Sequence, residues 1–122
     1  MKIQGKHFVI TGGGSGLGAA TAKYLVGKGA SVTLVDMNVE AGEQQAQALG
    51  GKAEFVKLDV TDEQAAEQFF QDVVAKHGCL HGLVNCAGIG PSAKVIAKES
   101  VHDLAMFSKT LQINVTGTFN ML

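Results

Sequence analysis

Thr11-Gly12-Gly13-Gly14-Ser15-Gly16-Leu17-Gly18 is the stretch that decides the fold of this chain. An apolar run, His7–Thr11, leads into it. A segment with helical spacing comes next, through Leu17, Ala20, Thr21, Tyr24 and Leu25, and Gly27 and Gly29 close it. Glycines in such a loop supply positive φ angles, or a bare Cα that lets a phosphate approach the backbone. The helix behind them would aim its free N–H groups and the positive end of its dipole at the same point. A strand before the loop and a helix after it form the context in which a glycine fingerprint carries weight. Two registers fit, Gly14-x-Gly16-x-x-Ala19 and Gly12-x-x-x-Gly16-x-Gly18. No Lys-Ser or Lys-Thr comes after them, which disfavours a nucleoside-triphosphate loop. The expectation is a dinucleotide pyrophosphate site that uses Gly12, Gly16 and Gly18.

Outward from the loop, apolar runs predict three further strands, Ser31–Asp36, Glu54–Asp59 and Leu80–Asn85. Runs that are largely unbroken rather than alternating suit a parallel sheet covered on both faces. Val39, Ala46 and Leu49 mark a second helix, closed by Gly50-Gly51. Ala66, Phe69, Phe70 and Val73 mark a third, opened by a Thr61/Gln64 capping box and stopped at Gly78. This α/β string predicts a doubly wound parallel sheet of order 3-2-1-4, with the ligand crevice between the first and fourth strands. Ile89–Ser100 reads as irregular or weakly helical. Leu104, Phe107, Leu111, Val115 and Leu122 then space a final helix, with no fifth strand after it.

The 122 residues are 46% hydrophobic and 17% charged, a globular rather than disordered composition. Glycine is the excess, 16 residues against a single proline, and five of them lie between Gly12 and Gly18. Ten basic against eleven acidic residues give a net charge of −1, no footprint for nucleic acid or an anionic membrane. No apolar run has the length of a membrane span, and the N-terminus lacks a signal-peptide core. Cys79 and Cys86 form no disulfide framework, so a cytoplasmic setting is expected.

Asp36 closes the second strand roughly 20 positions after the loop, where a carboxylate accepts both ribose hydroxyls of an adenosine and repels a 2′-phosphate. No Lys or Arg lies between Lys28 and Lys52 to neutralise such a phosphate, and Ser15 is uncharged, so NAD is favoured over NADP. Asp59 ends the third strand before Val60. It reads either as a partner of the adenine amino group, with Val60 adding its backbone, or as an aspartate stabilised near a helix start. Asn85-Cys86-Ala87-Gly88 ends the fourth strand in small residues that leave room for a ligand.

These residues together resemble the short-chain dehydrogenase/reductase family. The match runs through Thr-Gly-x-x-x-Gly-x-Gly at Thr11 to Gly18, Asp36, Asp59-Val60, Asn85-x-Ala87-Gly88 and Asn114-Val115-x-Gly117, in order and over the whole chain. The resemblance implies a Rossmann fold, a nicotinamide cofactor and oxidoreduction between an alcohol and a carbonyl. It places Ser15 and Leu17 on the pyrophosphate and Asp36 on the adenosine ribose. Asp59 and Val60 would hold adenine, and Cys86, Ala87 and Gly88 would line the nicotinamide-side ribose. Asn114 matches the asparagine that anchors a water in the catalytic machinery. The usual motif is Asn-Asn-Ala-Gly. Cys86 at its second position, with the stretches Gly88–Ile96 and Asn114–Met121, is similar to a subgroup, the type 2 3-hydroxyacyl-CoA dehydrogenases, also called type 10 17β-hydroxysteroid dehydrogenases.

The family's Tyr-x-x-x-Lys pair is absent from its usual place, so residues 1–122 are expected to be an NAD-binding half of a larger domain, inactive alone. Tyr24-x-x-x-Lys28 has the right letters on the wrong helix, where Tyr24 is expected to pack on the sheet and Lys28 to complement the helix dipole. His77-x-Cys79-x-His81 carries zinc-ligand types but no fourth ligand nearby, and no metal is expected. His7 and His102 read as isolated surface or boundary residues. The expected function is NAD-dependent oxidation of a secondary alcohol, a 3-hydroxyacyl-CoA first and another alcohol or a steroid second. A nucleotide-binding module without turnover, or an interaction fragment, is the reading from other classes. An uncovered edge on the fourth strand predicts a poorly soluble or oligomeric chain, and the resemblance implies that the final helix contributes to a homo-oligomer interface, in a dimer or tetramer.

Overall fold

A computed structural model describes residues 1–122. Four strands, β1 (His7–Thr11), β2 (Ser31–Asp36), β3 (Ala53–Lys57) and β4 (Gly82–Asn85), pair in parallel in the order β3-β2-β1-β4. This is the order the sequence predicts. In register, Phe8 lies beside Val32 and Gly82, and Leu34 beside Ile10 and Phe55. Two strands are shorter than expected. Leu58 and Asp59 leave the sheet after β3, and Leu80 and His81 precede the paired part of β4.

Helices cover both faces, which is why the central strands are apolar without alternation. All five residues of β1 are buried. Phe8 and Ile10 pack with Val32 and Leu34 against Ala22 and Leu25 of α1 (Gly16–Gly27). Val9 and Val35 point the other way and pack with Ala66, Phe69 and Val73 of α3 (Glu63–His77). Helix α2 (Val39–Leu49) lies close against β3, with Gly42 over the Phe55 ring.

The helix faces correct several expectations. In α1 the buried residues are Gly18, Ala22 and Leu25, so only Leu25 of the expected stripe faces the sheet. Leu17 is 82% and Tyr24 60% exposed; Tyr24 does not pack on the sheet, and its ring lies 5.6 Å from Lys28 Nζ. Small residues won this face because the helix seats almost on the backbone of the glycine loop. Helix α3 is capped by Asp62, whose side chain accepts from Ala65 N, while Thr61 bonds back to Asp59. The expected Thr61/Gln64 box is therefore absent.

No helix forms between Ile89 and Ser100; Ile96 and Val101 make a single antiparallel bridge there. The last helix begins as α4 (Leu104–Leu111), passes through a π-helical segment, Gln112–Gly117, and ends in α5 (Thr118–Asn120). A π turn holds an extra residue and rotates the next residues out of the 3.6-residue pattern. Gly117 and Met121 are the buried residues here, while Leu104, Phe107, Leu111 and Val115 are exposed. No helix is long and apolar enough to cross a membrane.

His7 is the largest departure from the sequence reading. It is 3% exposed, not a surface residue. Its ring takes Ser31 Oγ at 2.8 Å and Thr33 Oγ1 at 3.0 Å. Thr33 donates to Glu54 Oε1 at 2.7 Å, which also meets His77 Nε2 at 2.8 Å; Lys76 pairs with Glu54 Oε2. Every buried side-chain polar atom has a partner. Burial, reinforced by the neighbouring His77, holds His7 down at about 4. Burial pushes Glu54 upward, but its bonds from Lys76, Thr33 and His77 outweigh that and hold it at about 2.

Candidate functional site

The carboxyl ends of the strands open into a cleft of about 530 Å³ lined by Gly12, Asp36, Asp59, Val60, Ala87 and Gly88, among others. Six residues singled out from sequence thus meet in one cavity, at the crossover point of the sheet. The walls come from the ends of β1 and β2, the loops after β3 and β4, and the last helix.

Gly12 makes the two halves fit. Its φ is +65°, and a Cβ there would lie 2.8 Å from Ala87 N and from the Cys86 carbonyl. Thr11 fastens the same junction. Its hydroxyl accepts from Cys86 N and Ala87 N, both at 3.1 Å, and donates to Asn85 Oδ1 at 3.3 Å. Gly18 lies beneath the loop, where a Cβ would fall 2.1 Å from Gly12 O. Gly16 has open space around it and a φ of +54°, so its requirement is the backbone angle.

Ser15 caps α1 in an extended conformation without a side-chain hydrogen bond, and no acid stands in the first turn. The first amides of α1 are therefore free of a side-chain cap, a fit for an anion. Ser15, Gly16 and Leu17 are exposed in this loop and do not line the cleft; Gly18 and Cys86 stand behind its wall.

Asp36 is fixed at both oxygens. Oδ2 accepts from Gly14 N and Oδ1 from Asn38 N, each at 3.0 Å. Asp59 Oδ1 accepts from the Thr61 amide at 2.9 Å and hydroxyl at 2.7 Å, while Oδ2 makes no bond. The Thr61 bonds hold its carboxyl below the ordinary value, against a small opposing effect of burial. One oxygen thus serves the turn, and the other makes no protein hydrogen bond.

Asn114 sits in the π-helical segment and clamps Ile89 at both backbone groups, accepting from its N and donating to its O at 2.8 Å each. Gly88 passes beneath it, 3.1 Å from Asn114 Oδ1 to a built Cβ. Nearby, Asn120 Nδ2 donates to Val60 O at 2.9 Å, and Gly117 lets the helix approach Val60. Met37, Ile89, Lys109, Gln112 and Ile113 also line the cleft and escaped the sequence reading. Met37 and Ile89 adjoin residues already singled out. Lys109, Gln112 and Ile113 precede Asn114 on its helix, and that spacing was the available signal. Lys109 also brings a cation to the cleft that a local count around Asp36 does not reveal.

A parallel sheet with a glycine loop and helix N-terminus at its crossover point defines the doubly wound nucleotide-binding class. Within it, residues 6–122 match the short chain dehydrogenase family profile, and the chain belongs to that family. It is 42% identical over 122 residues to human 3-hydroxyacyl-CoA dehydrogenase type-2, covering 98% of this chain and 47% of that protein. It is 40% identical to 2,5-dichloro-2,5-cyclohexadiene-1,4-diol dehydrogenase of Sphingobium indicum, covering 96% of this chain and 46% of that one. Among solved structures, a short-chain dehydrogenase/reductase from Mycobacterium ulcerans superposes with a TM-score of 0.86 at 34% identity, covering 100% of this chain and 46% of that one. The citronellol catabolism dehydrogenase AtuB of Pseudomonas aeruginosa gives 0.83 at 32%, covering 97% and 48%. The chain spans about half the length of the relatives it matches.

Proposed function

We propose that this chain is the cofactor-gripping half of an NAD-dependent short-chain dehydrogenase that oxidises a secondary alcohol, a 3-hydroxyacyl-CoA foremost. The observation that carries the reading is Asp36, a carboxylate that lines the cleft and is held by two backbone donors, one of them in the glycine loop that leads into the uncapped start of α1. The two pinned oxygens would accept the ribose hydroxyls of a bound NAD, and their charge would oppose a 2′-phosphate. Asp59 Oδ2 and the Val60 backbone serve the adenine side. Gly12, Gly16 and Gly18, with Ser15 and Leu17, shape the pyrophosphate path, and Cys86, Ala87 and Gly88 shape the ribose near the nicotinamide. When bound, NAD supplies the hydride acceptor. Asn114 holds the Ile89 backbone in place and thereby shapes the wall beside Gly88; its role toward a catalytic water is part of the same proposal.

The 3-hydroxyacyl-CoA assignment draws on Cys86 in the Asn-Cys-Ala-Gly motif and on the human relative's name. A simpler secondary alcohol is the alternative, supported by the diol dehydrogenase relative. Exposed Phe107, Leu111 and Val115 on the last helix support homo-oligomer formation, and the free thiols of Cys79 and Cys86 a reducing, cytoplasmic setting.

Asp36→Ala is expected to weaken NADH binding by roughly 10- to 100-fold, the worth of hydrogen bonds to a charged group, and to narrow the preference over NADPH. Fluorescence titration reads both, and unchanged NADH affinity would remove the ribose role. Tyr24 and Lys28 stand outside the cleft lining, so the chain is expected to bind cofactor without turning over 3-hydroxybutyryl-CoA. Measurable turnover by this chain would refute that half of the proposal.

A further inference from the structure

The end of the sheet opposite the cleft carries a second group of chemically capable residues. His7 opens β1, Glu54 lies on β3 and His77 ends α3. One potential ligand atom from each falls within 4.8 Å of the others. We propose that His7, Glu54 and His77 form a zinc-class transition-metal site, with Nε2 of each histidine and Glu54 Oε1 as protein ligands and water completing the sphere.

The donor set favours this reading. Two imidazole nitrogens and one carboxylate oxygen suit Zn²⁺, and three protein ligands leave a position for water. Two of the ligands come from the sheet itself and are fixed by its register, in which His7 pairs with Ser31 and Thr33 with Glu54. Outer partners are also in place. Ser31 Oγ meets His7 Nδ1, and a serine hydroxyl can switch from donor to acceptor when the ring proton moves from Nε2 to Nδ1. Lys76 holds Glu54 Oε2, which leaves Oε1 for the ion.

Closing the site takes two local changes. The ion replaces the Thr33 hydroxyl between His7 Nε2 and Glu54 Oε1. The His7 and His77 rings are stacked at 3.7 Å and 13°, so their in-plane lone pairs run side by side. His77 must turn for both nitrogens to converge. It can do so because it is the last residue of α3 and its side chain keeps 21% exposure.

The Cys79/His81 pair is a separate group. His81 Nδ1 accepts from His7 N at 3.0 Å, and Cys79 Sγ lies 3.2 Å from His81 Nε2. The sequence spacing His-x-Cys-x-His thus splits, with His77 on one side of the corner and Cys79 and His81 on the other.

Zinc titration of the chelator-stripped 122-residue chain, followed by calorimetry, tests the proposal. One equivalent should bind. Glu54→Gln and His77→Ala should each weaken binding at least about 10-fold, as loss of a ligand costs no less than loss of an outer partner. Cys79→Ser should leave binding unchanged. The unmutated chain loaded with Co²⁺ should show visible d–d bands without a thiolate charge-transfer band, a readout that does not depend on how any variant folds. Failure to bind zinc, binding that survives His77→Ala, or a thiolate band lost with Cys79→Ser would each overturn the site.

Discussion

Gly18→Ala is expected to lower the unfolding free energy by about 3 kcal/mol, at the upper end of overpacking costs. Alanine in a helix ordinarily gains about 1 kcal/mol over glycine. Here the added Cβ would stand 2.1 Å from Gly12 O and 2.7 Å from Gly12 C. Both are backbone atoms, so no rotamer relieves the overlap. Gly12 has little room to yield on the side its missing Cβ would occupy, where a built Cβ stands 2.8 Å from the Cys86 carbonyl and Ala87 N. The strain passes to α1, which must lift from a face where Ala22 and Leu25 are buried. Against the roughly 5–15 kcal/mol typical of a domain, this is a large share. Urea unfolding should show a lower midpoint at an unchanged slope, with NADH binding weakened in parallel. A midpoint equal to that of the parent would mean that the loop and helix are not seated as described.

Acid should remove a comparable amount through His7. An unfolded histidine takes up a proton as pH falls below about 6.5, while the folded one resists until about 4. Between those values the unfolded chain binds more protons, so stability is complete above the window and falls as pH descends through it. The separation between about 6.5 and about 4 corresponds to about 3 kcal/mol at most. Glu54 extends the decline. Its carboxyl is held at about 2 against an ordinary 4.5, so its contribution disappears below the His7 window. Urea midpoints measured with a chelator present, from about pH 7 to about pH 4.5, should fall for the parent and stay nearly level for His7→Gln. Equal slopes for the two would show that His7 is not the titrating group.

The loop, the strand order and the carboxylate at the end of β2 were legible because each is encoded locally, in glycine spacing and unbroken apolar runs. Asp36 could be placed from its position alone. The face of α1 could not. Periodicity weighs large apolar residues, whereas a helix seated on a glycine loop buries small ones, Gly18 and Ala22, and leaves Leu17 and Tyr24 outside. The last helix misled for another reason, since the π-helical segment breaks the period on which the reading relied. His7 was missed because its partners, Ser31, Thr33, Glu54 and His77, come from three other elements and meet it only in the folded sheet. Lys109 entered the cleft by the same kind of distant approach.

The central position of β1 also sets the entropy of assembly. It pairs with β2 across 24 residues of sequence and with β4 across 74. Closing the longer span costs about 1 kcal/mol more in chain entropy for a flexible connection. Asp36 belongs to the side closed by the shorter span, while Ala87 and Gly88 arrive with the longer one. The Thr11 hydroxyl bonds to Cys86 and Ala87 help offset that difference at the seam. The two walls of the cleft are therefore joined at unequal entropic cost, and the weaker closure is the one that completes it.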